Sequence, residues 1–377
     1  MLAQISWSLD TEVEQADETI HARVALQDIL DAKPEREFEE IHLAQFIIYV
    51  MYACPNINLD RLRDCFVSRE SAFAEAIRRL YVLGYIYYDE DGVSVHLNME
   101  QAGKTLYSIG GVGNDLSVAC FLGCITPDTP ATVRPAMIDI ATIALLSKTS
   151  DPLVKITSES FADEESINGL LQRHCKDVPS DAIKSGAMWL ALAMFRCYRE
   201  RWHRPMGPIT FEYGNLTISS YKCWQIHHWS KGITEMLDML VPEANGNAPG
   251  ATLAISHEDV WQIQRYMVRA WAHNVVLSDD EDSRDMYSIF SGGPIAPFSN
   301  QGLPLPRYAP LLSFGFVLNG SGCYAWLPTA IPEHLLFETF GEMSCELADF
   351  ATVYFGEGDE GDWEGWPEDE EDQGGPR

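Results

Sequence analysis

Positive charge is scarce in this chain. Its 377 residues hold 26 lysines and arginines against 56 aspartates and glutamates, a formal net charge of -30. A surface acidic throughout would repel phosphate and argue against a nucleic-acid partner. No apolar run approaches the roughly eighteen residues needed to span a membrane. The opening MLAQISWSLDTEVEQADE has no basic segment followed by an apolar one, so a soluble, intracellular, non-secreted protein is expected. Nine cysteines, an odd number without repeated spacing, fit free thiols in a reducing compartment better than a disulfide framework. HExxH, GxSxG and Walker patterns are missing, and no acid and base are paired by spacing; the expectation is no enzyme and no cofactor.

What is present supports a folded protein. A hydrophobic share of 46% with 11% aromatics is ample for two or three cores. The negative charge is also unevenly placed. Residues 1–40 hold eleven acids against three bases, and residues 356–377 hold ten against one. Within 196–231 the balance reverses: Arg196, Arg199, Arg201, Arg204, Lys222 and Lys231 face only Glu200 and Glu212.

Residues 1–38 read as an acidic arm, with Pro34 interrupting any helix begun at Ala25. HLAQFIIYVMYAC reads as a buried helix stopped by Pro55, and Asn58 caps a short helix reaching Cys65. Ser68 or Ser71 opens a third helix with Phe73, Ile77, Leu80 and Leu83 at helical spacing, ended by Gly84. YIYY and VSVH flank Asp89-Glu90-Asp91-Gly92, a hairpin turn. Three helices and a hairpin over 39–97 resemble a winged helix, but the acidic tip favours a structural or protein-contact role over DNA reading.

Helical stretches follow at Leu116–Cys124, Met137–Leu146, Ala182–Trp202 and Tyr221–Leu240, with a strand or turn near Gly214-Asn215. VPEANGNAPGAT marks a boundary, so 39–240 is expected as an N-terminal helical lobe, 241–252 as a hinge and 253–355 as a C-terminal helical lobe. HEDVWQIQRYMVRAWAHNVV is an amphipathic helix. A long Gly/Pro-rich connection leads to LLSFGFVLNGSGCYAW and a last helix near Glu333–Tyr354. Residues 356–377 cannot fill a core and are expected to be a disordered acidic tail. The fold class is thus mainly α: a two-lobed helical protein with a small winged-helix-like hairpin element.

Cys223 and His227, four apart on a helix and helped by His228, Cys197 or His203, have ligand spacing, yet no CxxC or HxxxH completes a metal site; core packing is the better reading. The same holds for Cys120 and Cys124. The acids at 279–282 lack the alternation and glycine of a calcium loop.

The cations carry more information. Arg199, Arg201, Arg204, Lys222, Lys231, Arg265, Arg269 and Arg307 come from both sides of the 241–252 boundary, and Tyr198, Tyr213, Tyr221, Trp224, Trp229 and Tyr266 interleave with them. A groove lined by such residues can track a single-stranded backbone while Tyr213, Tyr221 and Tyr266 stack on bases. The bland alternative is that these arginines cap helices and pair with the surplus acids.

Phe211-Glu-Tyr-Gly-Asn-Leu-Thr217 followed by Tyr221-Lys-Cys223 is similar to the central motif of nucleoproteins of nonsegmented negative-strand RNA viruses, especially rhabdovirus-like and fungal ones. Arg265-Tyr-Met-Val-Arg269 and then Tyr308-Ala-Pro-Leu311 resemble that family's C-terminal lobe in the same order. Asn215 replaces the motif threonine, Ser220 stands where a basic residue is usual, and the likeness covers about residues 188–322. The resemblance implies a two-lobed, self-polymerising protein that encapsidates single-stranded RNA, with Lys222, Arg265 and Arg269 as contacts. It implies a location in the virion or host cytoplasm. The acidic tail would recruit a basic viral phosphoprotein or polymerase subunit through Trp363 and Trp366. The alternatives are a viral coat protein without an RNA groove, or a winged-helix adaptor binding a protein or nucleic acid.

Overall fold

A computed structural model describes residues 40–55, 57–59, 62–63, 70–89, 95–109, 112, 115–147, 153–156, 175, 177–201, 209–210, 216–242, 254–278, 286–289, 294–297, 309–319 and 322–343. The expected N-terminal arm, the acidic tail, the 279–282 acids and most of the 241–252 boundary lie outside these residues.

The chain is mainly helical, as its periodicity predicts. Helix α1 (Glu40–Ala53) buries Leu43, Ala44, Ile47, Ile48 and Met51 but turns Tyr49 and Tyr52 outward. It packs on α2 (Glu70–Val82). Gly84 ends α2 in the left-handed region, at φ +73°, while Tyr85 donates back to the Leu80 carbonyl. The chain then forms the antiparallel pair β1 (Ile86–Tyr88) and β2 (Val95–Leu97), in register Ile86 to Leu97. Sequence periodicity gave no warning of α3 (Met99–Ile109), which Asn98 caps through its Oδ1. Next come α4 (Leu116–Gly123), capped by Asp115, and α5 (Val133–Ser147).

The helix expected across 182–202 is broken in two. Helix α6 (Ser180–Ser185) stops at Gly186, and α7 (Ala187–Arg201) restarts. The cause is a close backbone approach: a Cβ on Gly186 would stand 2.4 Å from the Thr329 Cα. Ala187 donates its backbone N–H to Pro328 across the same contact. After α5, β3 (Val154–Ile156) joins β4 (Ile209–Thr210) and β5 (Leu216–Ile218) in a three-stranded sheet with β5 in the middle. Ser219 then caps α8 (Ser220–Leu240).

Ser256 and Asp259 form a reciprocal capping box at the start of α9 (His257–Trp271). Beyond it the structure departs from a helical lobe. A short 3-10 turn delivers the chain into β6 (Val275–Ser278), followed by β7 (Met286–Ser288), β8 (Pro294–Pro297), β9 (Leu311–Leu312), β10 (Phe316–Asn319), β11 (Gly322–Ala325) and β12 (Thr329–Ala330). These pair as one seven-stranded sheet in the order β10-β11-β8-β7-β6-β9-β12, antiparallel except between β11 and β8. Helix α10 (Glu333–Glu342) packs against α9.

One apolar cluster reaches from Leu43 to Phe340 and includes residues on both sides of 241–252. Trp271, at the end of α9, illustrates the join: its ring lies 5.3 Å from Phe121 of α4 and 4.7 Å from Phe314 beside the sheet. Arg134 makes a second join between distant segments of the helical part. It is fully buried on α5, donates to the Val241 carbonyl at 2.6 Å and pairs with Asp238 at 2.9 Å, fastening the C-terminal end of α8. No helix among the described residues is long and apolar enough to cross a membrane.

Candidate nucleic-acid interface

The basic window divides between core and surface. On α7, Arg196 is buried with its Nε 3.5 Å from Asp139 Oδ2, and Arg199 donates to Asp139 Oδ1 at 3.1 Å. Asp139 itself is buried on α5, so two guanidinium groups close around one carboxylate inside the protein. Burial pulls the Arg196 pKa below its ordinary value, opposed by the attraction of Asp139. The Arg199 guanidinium lies 5.4 Å from the Phe195 ring centre. The side chain of Arg201 and all of Arg204, Tyr213 and Arg307 lie outside the described residues.

Helix α8 sorts its residues by face. Lys222, an expected RNA contact, is instead buried at 7% exposure, on the side of α8 that also buries Cys223, Ile226, Ile233 and Leu237. Burial of Cys223 raises its thiol pKa strongly, aided by Cys197 nearby. Thus Cys223 faces the core while His227 is exposed; no group of three or more metal-ligating side chains occurs among the described residues. The opposite face is solvent-facing and aromatic. Tyr221 is 58% exposed, its ring stacked 6.1 Å from Trp224 at 25°. Trp224 in turn lies 4.3 Å from His228. The His228 Nδ1 bonds the Trp224 carbonyl at 3.0 Å, which fixes the imidazole in that position. Exposed Lys231 continues the face, 3.9 Å from Glu235, while Trp229, also exposed, points to another side of the helix.

On α9 the two arginines have a different employment. Arg265 bonds Glu338 at 2.9 Å, Arg269 bonds Glu342, and Trp261 meets His334 edge-on at 6.3 Å. All three pairs share an offset of 73 residues, so α9 and α10 run side by side in the same direction with matched turns. The arginines are rungs between helices. Tyr266 is half-buried, and its hydroxyl accepts a hydrogen bond from Gln262 at 3.0 Å. With Arg269 and Lys104 it borders a cavity of 530 Å³ above Cys120 and Cys124. Burial pushes the Cys120 thiol up to about 11.

The chain matches no protein-family model and no curated protein.

The described cations therefore do not form one bare positive trough. Arg199, Arg265, Arg269 and Lys231 each have a carboxylate partner, and Lys222 is in the core. What the sequence understated is the stacked, exposed side of α8, whose signal was Tyr221, Trp224 and His228 at spacings of three and four. Exposed ion pairs contribute only about 0–1 kcal/mol each, so Arg265 and Arg269 can exchange a glutamate for another anion at small cost.

Proposed function

We propose that this chain is a nucleoprotein that coats single-stranded RNA without sequence preference, similar to those of nonsegmented negative-strand RNA viruses, and polymerises on it. The observation that carries the reading is the Tyr221–Trp224–His228 stack on α8, with Tyr221 and His228 exposed and Trp224 half-buried between them, which follows closely on the motif of residues 211–217 and has exposed Lys231 three residues beyond it. Nucleobases have π faces of every sequence, so a ring ladder beside cations grips a strand indiscriminately. The finer parts of the proposal are a strand held between two lobes, Arg201, Arg204 and Arg307 as further phosphate contacts, a winged-helix-like unit over 39–97, and an acidic tail that recruits a basic partner.

One observation favours a second reading. Every described cation of the expected groove has a carboxylate partner or lies in the core, as suits a coat protein that builds a shell without gripping RNA. Purified protein separates the two. A nucleoprotein carries nuclease-protected RNA, absorbs strongly at 260 nm and forms rings or filaments. Replacing Tyr221 and Trp224 by alanine should weaken single-stranded RNA binding by roughly 1–3 kcal/mol per lost base stack. Closed, RNA-free shells, or full RNA retention by the double variant, would overturn the first reading.

A further inference from the structure

A groove of 420 Å³ opens where the first turns of α9 and α10 meet α6. Three independent features of its lining point to a ligand. Trp261 stands at its edge 55% exposed, with prolines Pro310 and Pro332 nearby in the wall. Flat, rigid apolar surfaces of this kind take up an aliphatic or proline side chain with little entropic cost. Gln264 is only 3% exposed, yet its side chain lines the groove and makes no hydrogen bond among the described residues. What little of Gln264 is exposed opens on the groove, where a peptide unit, which offers one donor and one acceptor, matches the amide. Charge supplies the third feature. Asp181 and Glu333 line the groove, and no lysine or arginine does among the described residues. Glu333 forms no described ion pair, while Asp181 lies 3.2 Å from His257.

We propose that this groove seats an extended basic peptide of a partner protein, its backbone bonded to the Gln264 amide, an apolar side chain on Trp261, and lysine or arginine toward Asp181 and Glu333. The acidic lining repels phosphate, so the groove is unsuited to RNA. It repels this chain's own tail too, since residues 356–377 hold ten acids against one base. The inference stands apart from the RNA reading because it uses none of the α8 ladder.

Fluorescence anisotropy with the full chain tests it. The probes are a short fluorescein-labelled peptide of leucine and proline interspersed with lysine and arginine, the same peptide with glutamate at each basic position, and a peptide of residues 359–372. The basic peptide should bind, with the glutamate version at least about tenfold weaker. Gln264→Leu and Trp261→Ala should each weaken it about tenfold, with Trp261→Ala, at an exposed site, guarding against a folding artefact. Glu333→Lys should weaken it further, and Tyr221→Ala should leave it unchanged. No binding of the basic peptide, equal binding of the glutamate version, indifference to both Gln264→Leu and Trp261→Ala, or tighter binding of the tail peptide would overturn the proposal.

Discussion

Helices α7 and α9 carry arginines one turn apart, and in sequence the two arrangements look alike. In the structure, Arg196 and Arg199 of α7 close on a single buried carboxylate, Asp139, whereas Arg265 and Arg269 of α9 reach across a wet surface to two glutamates of α10. The lesson is about solvent. A buried charge has given up its hydration and depends on its partner, while an exposed one is already well served by water.

The most damaging way to probe that contrast is Asp139→Ala, which takes from buried Arg196 and from Arg199 the carboxylate they share. It should cost about 3–5 kcal/mol, read as a lower urea midpoint. Replacing Asp139, Arg196 and Arg199 together by apolar residues of similar volume should recover most of that loss, since a buried ion cluster is often matched by well-packed apolar groups. Recovery would show that the cluster's cost lies in stranding a charge.

The cysteines extend the contrast to titration. Cys120, buried, has its thiol pKa raised to about 11, and Cys54 is exposed. The unfolded chain loses the Cys120 proton near pH 9 and the folded chain near pH 11, so this contribution is fully present below pH 9 and falls away as pH climbs to 11. Its size is on the order of 2–3 kcal/mol, and pH-dependent denaturation of wild type against Cys120→Ser measures it. Brief alkylation at neutral pH should modify Cys54 and spare Cys120.

The smallest effect belongs to α9 and α10. Glu338→Gln with Glu342→Gln should shift stability by less than about 1 kcal/mol per pair, diminishing further in high salt. If RNA also lies along this face, the same double variant binds it more tightly, because two guanidinium groups lose their resident anions. Unchanged affinity would confine RNA to the α8 side.

Much of the helical framework was legible. The helices expected at Leu116–Cys124, Met137–Leu146 and Tyr221–Leu240 formed within a few residues of those bounds, Gly84 ended its helix and the hairpin strands paired, whereas the helix read over 182–202 broke at Gly186 and the one read from His257 gave way to a strand at Val275. The seven-stranded sheet was hidden because its strands are two to four residues long, too short for alternation to declare itself. Gly186 was hidden because Thr329, the residue it must clear, is far along the chain. The arginine partners were hidden for the same reason: Glu338 and Glu342 sit four apart, matching Arg265 and Arg269, but only folding aligns the two ladders. Exposure of the α8 rings is likewise a property of packing, since composition cannot distinguish a ring on the surface from one in the core.

Because α9 and α10 point the same way, the polypeptide between them must travel back along the full length of a helix before the second can start. The strands of the seven-stranded sheet all lie in the chain between the two helices. A fragment ending near residue 330 would therefore keep the outbound helix and its way home but leave Arg265, Arg269 and Trp261 facing an empty berth.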